Sequence, residues 1–200
     1  MTGESGSVES MISGVGAFLA AAAIMLAVYA LFRATGPADA GIALQSAAAE
    51  ICGDIGTVAA AAVPYNRSAI YPMQGINVTI GHDYVVASDG NGREFTRPLV
   101  VRVYPGSYAG LPDACWNDTG EMRSYLERTY WAPGTKELPM SPENSSKASA
   151  LLEHAGLEMG VRPLALDPGR ALTVEKLYLY TYNGTDDTTE VRPYVFVLQR

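Results

Sequence analysis

Apolar residues run from Met11 to Phe32 without a charged side chain, and after a break at Ala34-Thr35-Gly36-Pro37 they return at Leu44, Ala48, Ile51, Ile55, Val58 and Ala62, spaced four and three apart. The first pattern predicts a transmembrane helix. About 22 residues at about 1.5 Å rise make about 33 Å, enough to cross a hydrocarbon core. The second predicts an amphipathic helix over residues 38–62, free of internal proline and ended before Pro64. Its stripe of Leu44, Ala48, Ile51, Ile55 and Val58 needs a partner. That partner is either the chain's own sheet or the same helix in neighbouring subunits.

From Ile76 the period shortens to two. Ile76–Ile80, Tyr84–Ala87 and Glu94–Tyr104 read as an antiparallel meander, punctuated at Gly81 and at Asp89-Gly90-Asn91-Gly92. Residues 111–142 are rich in Pro, Gly and polar side chains, with a short helix expected at Glu121–Trp131. Another is expected at Ser146–Met159, capped by Ser145 or Ser146 and stopped by Gly160. Thr173–Tyr182 and Glu190–Gln199 form the clearest hairpin, opened by Asn183-Gly184, and Pro193 marks the last strand as an edge or a bulge. The fold class is therefore α+β: an N-terminal transmembrane helix, an amphipathic helix packed on a small antiparallel β-sheet, and additional short helices. Residues 1–10 form a tail or leader, 11–32 the membrane span, and 33–200 a single domain.

Topology follows from the asparagines. Five of six, Asn66, Asn77, Asn117, Asn144 and Asn183, are followed at the second position by Ser or Thr with no proline between, which makes each a candidate glycan acceptor. Acceptors are useful only beyond the cytoplasm, which places residues 33–200 there. Arg33, the one basic residue near the span, points the other way and is outweighed. Cys52 and Cys115 are the only cysteines, and in such a compartment an intramolecular disulfide is the economical reading, with two buried thiols as the alternative. The net charge of −7 does not invite nucleic acid. The implied partners are the lipid bilayer and either identical subunits or other envelope proteins.

An apolar helix at Met11–Phe32, continued after Gly36-Pro37 by an amphipathic helix and then an antiparallel β domain, resembles the type IV pilins and archaeal pilin-like proteins. The resemblance covers Met11–Ala62. It implies that the first half of the helix anchors the subunit and later packs in a filament core, while the second half supports a globular head. Glu9 would correspond to the family's acidic residue near the mature N-terminus.

The chain shows no catalytic constellation, and neither a cofactor nor a metal is expected. His82 is expected in a turn between strands and His154 on the polar side of a helix; neither has metal-ligand spacing. Gly90-Asn91-Gly92 lacks the strand-to-helix context of a phosphate loop and reads as a turn. Asp186, Asp187 and Glu190 beside Asn183 are either a solvated hairpin tip or oxygen ligands for calcium. Tyr178, Tyr180 and Tyr182 share one strand face, expected either to pack across the strands on Tyr194 and Phe196 or to stack on sugars. Trp116 and Trp131 are candidate contact residues. An enzyme would need acids such as Asp83, Asp113 or Glu127 to converge in a pocket. The reading that results is a non-enzymatic, membrane-anchored structural or assembly protein, with a monomeric anchored binding or accessory domain as the alternative.

Overall fold

The computed structural model describes residues 24–26, 40–111 and 114–199. Residues 24–26 are helical and exposed. The rest of the expected span Met11–Phe32 lies outside the described residues, and among those described no helix is long and apolar enough to cross a membrane. Leu44–Arg200 is one compact unit.

Helix α1 is described over residues 40–60. Its stripe turns inward as one continuous row: Leu44 is 2% exposed, and Ala48, Ile51, Ile55 and Val58 are all at 0%. Two four-stranded sheets receive it. The first has the order β1 (Tyr65–Ala69), β9 (Leu172–Asn183), β10 (Thr188–Gln199), β5 (Val103–Pro105); the second has β4 (Glu94–Pro98), β3 (Tyr84–Asp89), β2 (Ile76–Ile80), β8 (Leu164–Ala165). Pairing is antiparallel except between β10 and β5, which run parallel. Leu172, Val174, Val195 and Val197 from the first sheet, and Val78, Ile80, Val85 and Ala87 from the second, share one core with the stripe. Burying each large aliphatic side chain stabilises by about 1.5–3 kcal/mol. The expected single sheet is thus two.

The opposite face of the first sheet carries a second core. Leu179, Tyr194 and Phe196 pack there on α2 (Thr119–Tyr130) and α3 (Pro142–Val161), with Trp116 of the small hairpin β6 (Tyr108–Leu111) and β7 (Ala114–Trp116). Alternation along β9 decides which side chain goes where. Tyr194 pairs with Leu177 and Phe196 with Glu175, whereas Tyr178, Tyr180 and Tyr182 pair with Pro193, Val191 and Thr189. The tyrosines therefore face away from Tyr194 and Phe196, which corrects the expected cross-strand packing.

Helix ends show why several boundaries moved. Asp118 caps α2, its side chain accepting from Glu121 N, and Trp131 closes the helix at φ 61. Ser141 caps α3, followed by Pro142 in the first turn, so α3 starts four residues before the expected Ser146. Gly160 does not stop the helix, which runs to Val161. Glu94–Tyr104 breaks into β4 and β5. At the hairpin tip the positive φ falls on Asp187, at 50°, and not on Asn183-Gly184. Pro193 stands where β10 has no neighbour on its second side, because β5 reaches only Val195–Val197. Carbonyls at and just past the end of α1 are satisfied from β9: Lys176 Nζ donates to Ala59 O at 2.6 Å and Ala61 O at 2.5 Å, and Tyr178 Oη to Ala62 O at 3.1 Å. A buried cation at the negative end of a helix is favourable electrostatically as well.

Because the stripe is fully enclosed, Ile55→Ala is expected to destabilise the domain by about 3 kcal/mol in urea unfolding, the range for large-to-small core changes being about 2–5 kcal/mol. A loss below about 1 kcal/mol would contradict the burial described.

Candidate functional site

A cleft of about 630 Å³ opens where the two cores meet. Met159 and Val197, which belong to the first core, and Tyr108 and Ala155, from the second, lie along it. The C-terminal turns of α3, the strand β6, the short β8 and the end of β10 form its walls. Glu158, Arg162, Asp167 and Arg170 supply the charge.

Inside the cleft a glycine sets the spacing. A Cβ at Gly110 would collide with the Glu158 carboxylate and would stand 2.5 Å from Tyr108 Oη, so both groups converge over bare backbone. The Tyr108 hydroxyl is buried beside Glu158 without the alignment of a hydrogen bond. Burial first, and then the adjacent carboxylate, push its phenol up to about 12. Glu158 also lies 3.7 Å from His154 Nε2. Asp167 accepts from Gly169 N at 2.9 Å and stands 3.9 Å from Arg170 Nε. Asp167 thus has a local donor, and Glu158 has only close neighbours. The Arg162 guanidinium makes no ion pair or hydrogen bond to another described residue.

One turn further into α3, a polar cluster ties the sheets together. His82, in the turn between β2 and β3, accepts from Val103 N through its carbonyl at 2.8 Å and places Nδ1 2.7 Å from Val103 O. The ring therefore carries its proton on Nδ1 when neutral, leaving Nε2 buried and unbonded, 3.8 Å from Glu153 Oε2. Glu153 accepts from Tyr104 Oη at 2.7 Å and Arg102 at 3.3 Å. Gly156 makes room for the imidazole, since a Cβ there would lie 2.5 Å from Nδ1 and Cε1. A third phenol repeats the motif, Tyr71 donating to buried Asp54 of α1 at 2.6 Å, with Arg67 on the other carboxylate oxygen at 3.0 Å.

The sequence-predicted residues are distributed rather than gathered. Asn66, Asn77 and Asn117 are exposed. Asn144 is half-buried, its amide nitrogen donating to Tyr130 O at 3.0 Å, and Asn183 is bonded to Asp186. Cys52 and Cys115 are both free, which corrects the expected disulfide. Cys52 packs against the first core, while Cys115 is exposed between Ala114 and Trp116, which belong to the second; the sheet lies between them. The stripe Leu44, Ala48, Ile51, Ile55 and Val58 is buried in its own domain, so it presents no surface to a neighbouring subunit.

Trp116 is fully buried and Trp131 is 90% exposed. His154 is exposed on α3, as expected. His82 occupies the expected turn, and Gly90-Asn91-Gly92 is a turn held by Asp89. At the hairpin tip Asn183 donates to Asp186, Tyr182 to Asp187, and Arg192 pairs with Glu190, so these side chains do not converge; among the described residues no group of three metal-ligating side chains stands together. Asp83 and Glu127 lie exposed on separate elements, and Asp113 is outside the described residues. Sequence reading missed the cleft because its walls come from four elements; Glu158 with Arg162 at the end of α3, and Asp167 with Arg170, were neighbours in the chain, but nothing local joins the two pairs. Comparison with protein-family models, curated proteins and solved structures finds no match.

Two outcomes follow. Tyr71, Tyr104 and Tyr108 are each buried against a carboxylate, and their phenols are raised above the ordinary 10. A phenol raised in the folded state stabilises fully below pH 10, and that stabilisation is lost as pH climbs through the folded value. Alkaline titration at 295 nm is expected to leave three tyrosines un-ionised above pH 11 until the domain unfolds; simple titration of all twelve near pH 10 would contradict this. Gly156→Ala is expected to cost about 1–2 kcal/mol net, the collision with His82 exceeding the gain of about 1 kcal/mol in helix propensity.

Proposed function

We propose that the chain is a single-pass, membrane-anchored protein of the cell envelope whose domain outside the cytoplasm is a monomeric, non-enzymatic binding or accessory module. The observation that carries this reading is the enclosure of the α1 stripe, which removes the apolar surface that would have driven packing between heads. The uncharged run Met11–Phe32 supports the anchor, and the exposure of Asn66, Asn77 and Asn117 supports an address where glycans are added. The 630 Å³ cleft supplies a binding surface of the size small ligands use.

A pilin-like subunit is the second reading, favoured by α1 itself. Its described part supports the head through one face, the role that the resemblance implies for the second half of the helix. Assembly would then rest on Met11–Phe32 and not on the stripe.

Native membranes carrying the full chain separate these readings. Protease added outside intact cells is expected to remove the head, and mass spectrometry to find glycans at Asn66, Asn77 and Asn117 but none at Asn144, whose amide is engaged at Tyr130. Detergent-extracted protein is expected to sediment as a monomer. A head protected in intact cells overturns the topology; filaments or a ladder of oligomers favour the pilin-like reading.

A further inference from the structure

We infer that the cleft between the C-terminal end of α3, β6 and β8 binds a small amphipathic anion, a carboxylate or phosphate head on a short apolar body. The inference deepens the binding-module reading and rests on it for its biological meaning.

The cleft is bipartite. Its floor is apolar and closed: Ala155, Met159, Val197 and Leu198 are all buried. Arg162 and Arg170 line it as well and are exposed, which places their guanidinium groups toward solvent at its mouth. At about 630 Å³ the space suits a ligand of drug size, with an apolar floor under a polar, charged rim.

Charge complementarity fixes the sign. Asp167 accepts from Gly169 N at 2.9 Å, and Glu158 has the Tyr108 hydroxyl beside it and His154 Nε2 at 3.7 Å. The donors free for a ligand are on the two arginines. Arg162 makes no bond to another described residue, and Arg170 approaches Asp167 only at 3.9 Å through Nε, leaving its outer nitrogens without a described partner. A guanidinium presents a planar fork of donors that matches a carboxylate or phosphate with two parallel bonds, and it is weakly hydrated enough to act beside an apolar wall. An anion held there would direct its apolar body onto Met159 and Leu198. A cationic amphiphile of equal length would meet two guanidinium groups at the entrance.

The test uses the full chain in nanodiscs of phosphatidylcholine, whose neutral headgroup adds no competing net anion, with ¹³C-methyl methionine labelling. Met159 reports from the floor; Met122 and Met140, fully buried in the second core, are internal controls. Octanoate, octyl phosphate and octylamine are titrated separately. The expected result is a saturable shift of Met159 with one or both anions, little change at Met122 and Met140, no matching shift with octylamine, and a Kd about tenfold weaker in Arg162→Ala. The tighter of the two anions identifies the head as carboxylate or phosphate. A silent Met159, an equal response to octylamine, or an unchanged Kd in Arg162→Ala overturns the inference. These outcomes concern the cleft alone; protection of the head from external protease would overturn the topology and leave the ligand result standing.

Discussion

The domain depends on one contact, the enclosure of the α1 stripe between two sheets that share no ladder with each other. Val78, Ile80, Val85 and Ala87 of one sheet and Leu172, Val174, Val195 and Val197 of the other meet only in a core that also contains Leu44, Ala48, Ile51, Ile55 and Val58. Neither sheet is large enough to bury its inner face alone. The helix supplies the missing layer, and its spacing of four and three matches the flat apolar faces on both sides. Where the helix ends, Lys176 reaches across from β9 to its Ala59 carbonyl and Tyr178 to the Ala62 carbonyl just beyond, so the same strand that covers the helix also holds its exit.

Three phenols buried at the seams each meet a carboxylate, and two close approaches, at Glu158 and at His82, are granted by glycines. Tyr71 with Asp54 fixes the loop after β1 to α1, Tyr104 with Glu153 fixes β5 to α3, and Tyr108 with Glu158 fixes β6 to α3. An ionised carboxylate in a partly buried site needs donors to offset desolvation, and at Asp54 and Glu153 a neutral phenol provides one without adding a second charge. Gly110 and Gly156 let the carboxylate and the imidazole come down onto backbone. Gly160 has room for a Cβ, which would stand in ordinary contact 4.0 Å from His82 Cβ, and its carbonyl accepts from Tyr84 Oη at 2.8 Å.

The sequence was legible where a signal was local and silent where a contact was distant. The stripe, the 3.6-residue period of α1, the period-two runs at Ile76–Ile80 and in the C-terminal hairpin, and the turn at Asp89-Gly90-Asn91-Gly92 are local signals, and each corresponds to an observed element. Gly160 carried the local signature of a helix stop, but the helix runs on to Val161 and the Gly160 carbonyl accepts from Tyr84, 76 residues away in the chain, which no local rule reveals. Ser145 offered a capping hydroxyl, yet it is buried and receives a bond from Thr181, while Ser141 with Pro142 makes the cap. The tyrosines of β9 were assigned the correct shared face and the wrong neighbours, because register fixes which face of β10 they meet. A disulfide inferred from two cysteines in one compartment fails since the pair is split by the sheet. The cleft was invisible for a related reason: its charged groups come from α3 and from residues 167–170, and only the fold brings them together.

Those same residues explain why a cleft exists at all. Strand β8 pairs with β2 for just two residues, Leu164 and Ala165, between Pro163 and Pro168, and prolines cannot extend a ladder through their nitrogen. The second sheet therefore stops short beside the end of α3, while β10 continues to Gln199. Gln199 anchors the following turn by accepting from Asp167 N and donating to Asp167 O and Arg170 O, so the gap is held open by a fixed segment and does not collapse onto Met159. A space bounded by satisfied backbone and floored by core side chains costs the fold little to keep. Its guanidinium groups are then the part of this surface left without an internal task, and that is the physical reason to look there, before any other face, for what the domain binds.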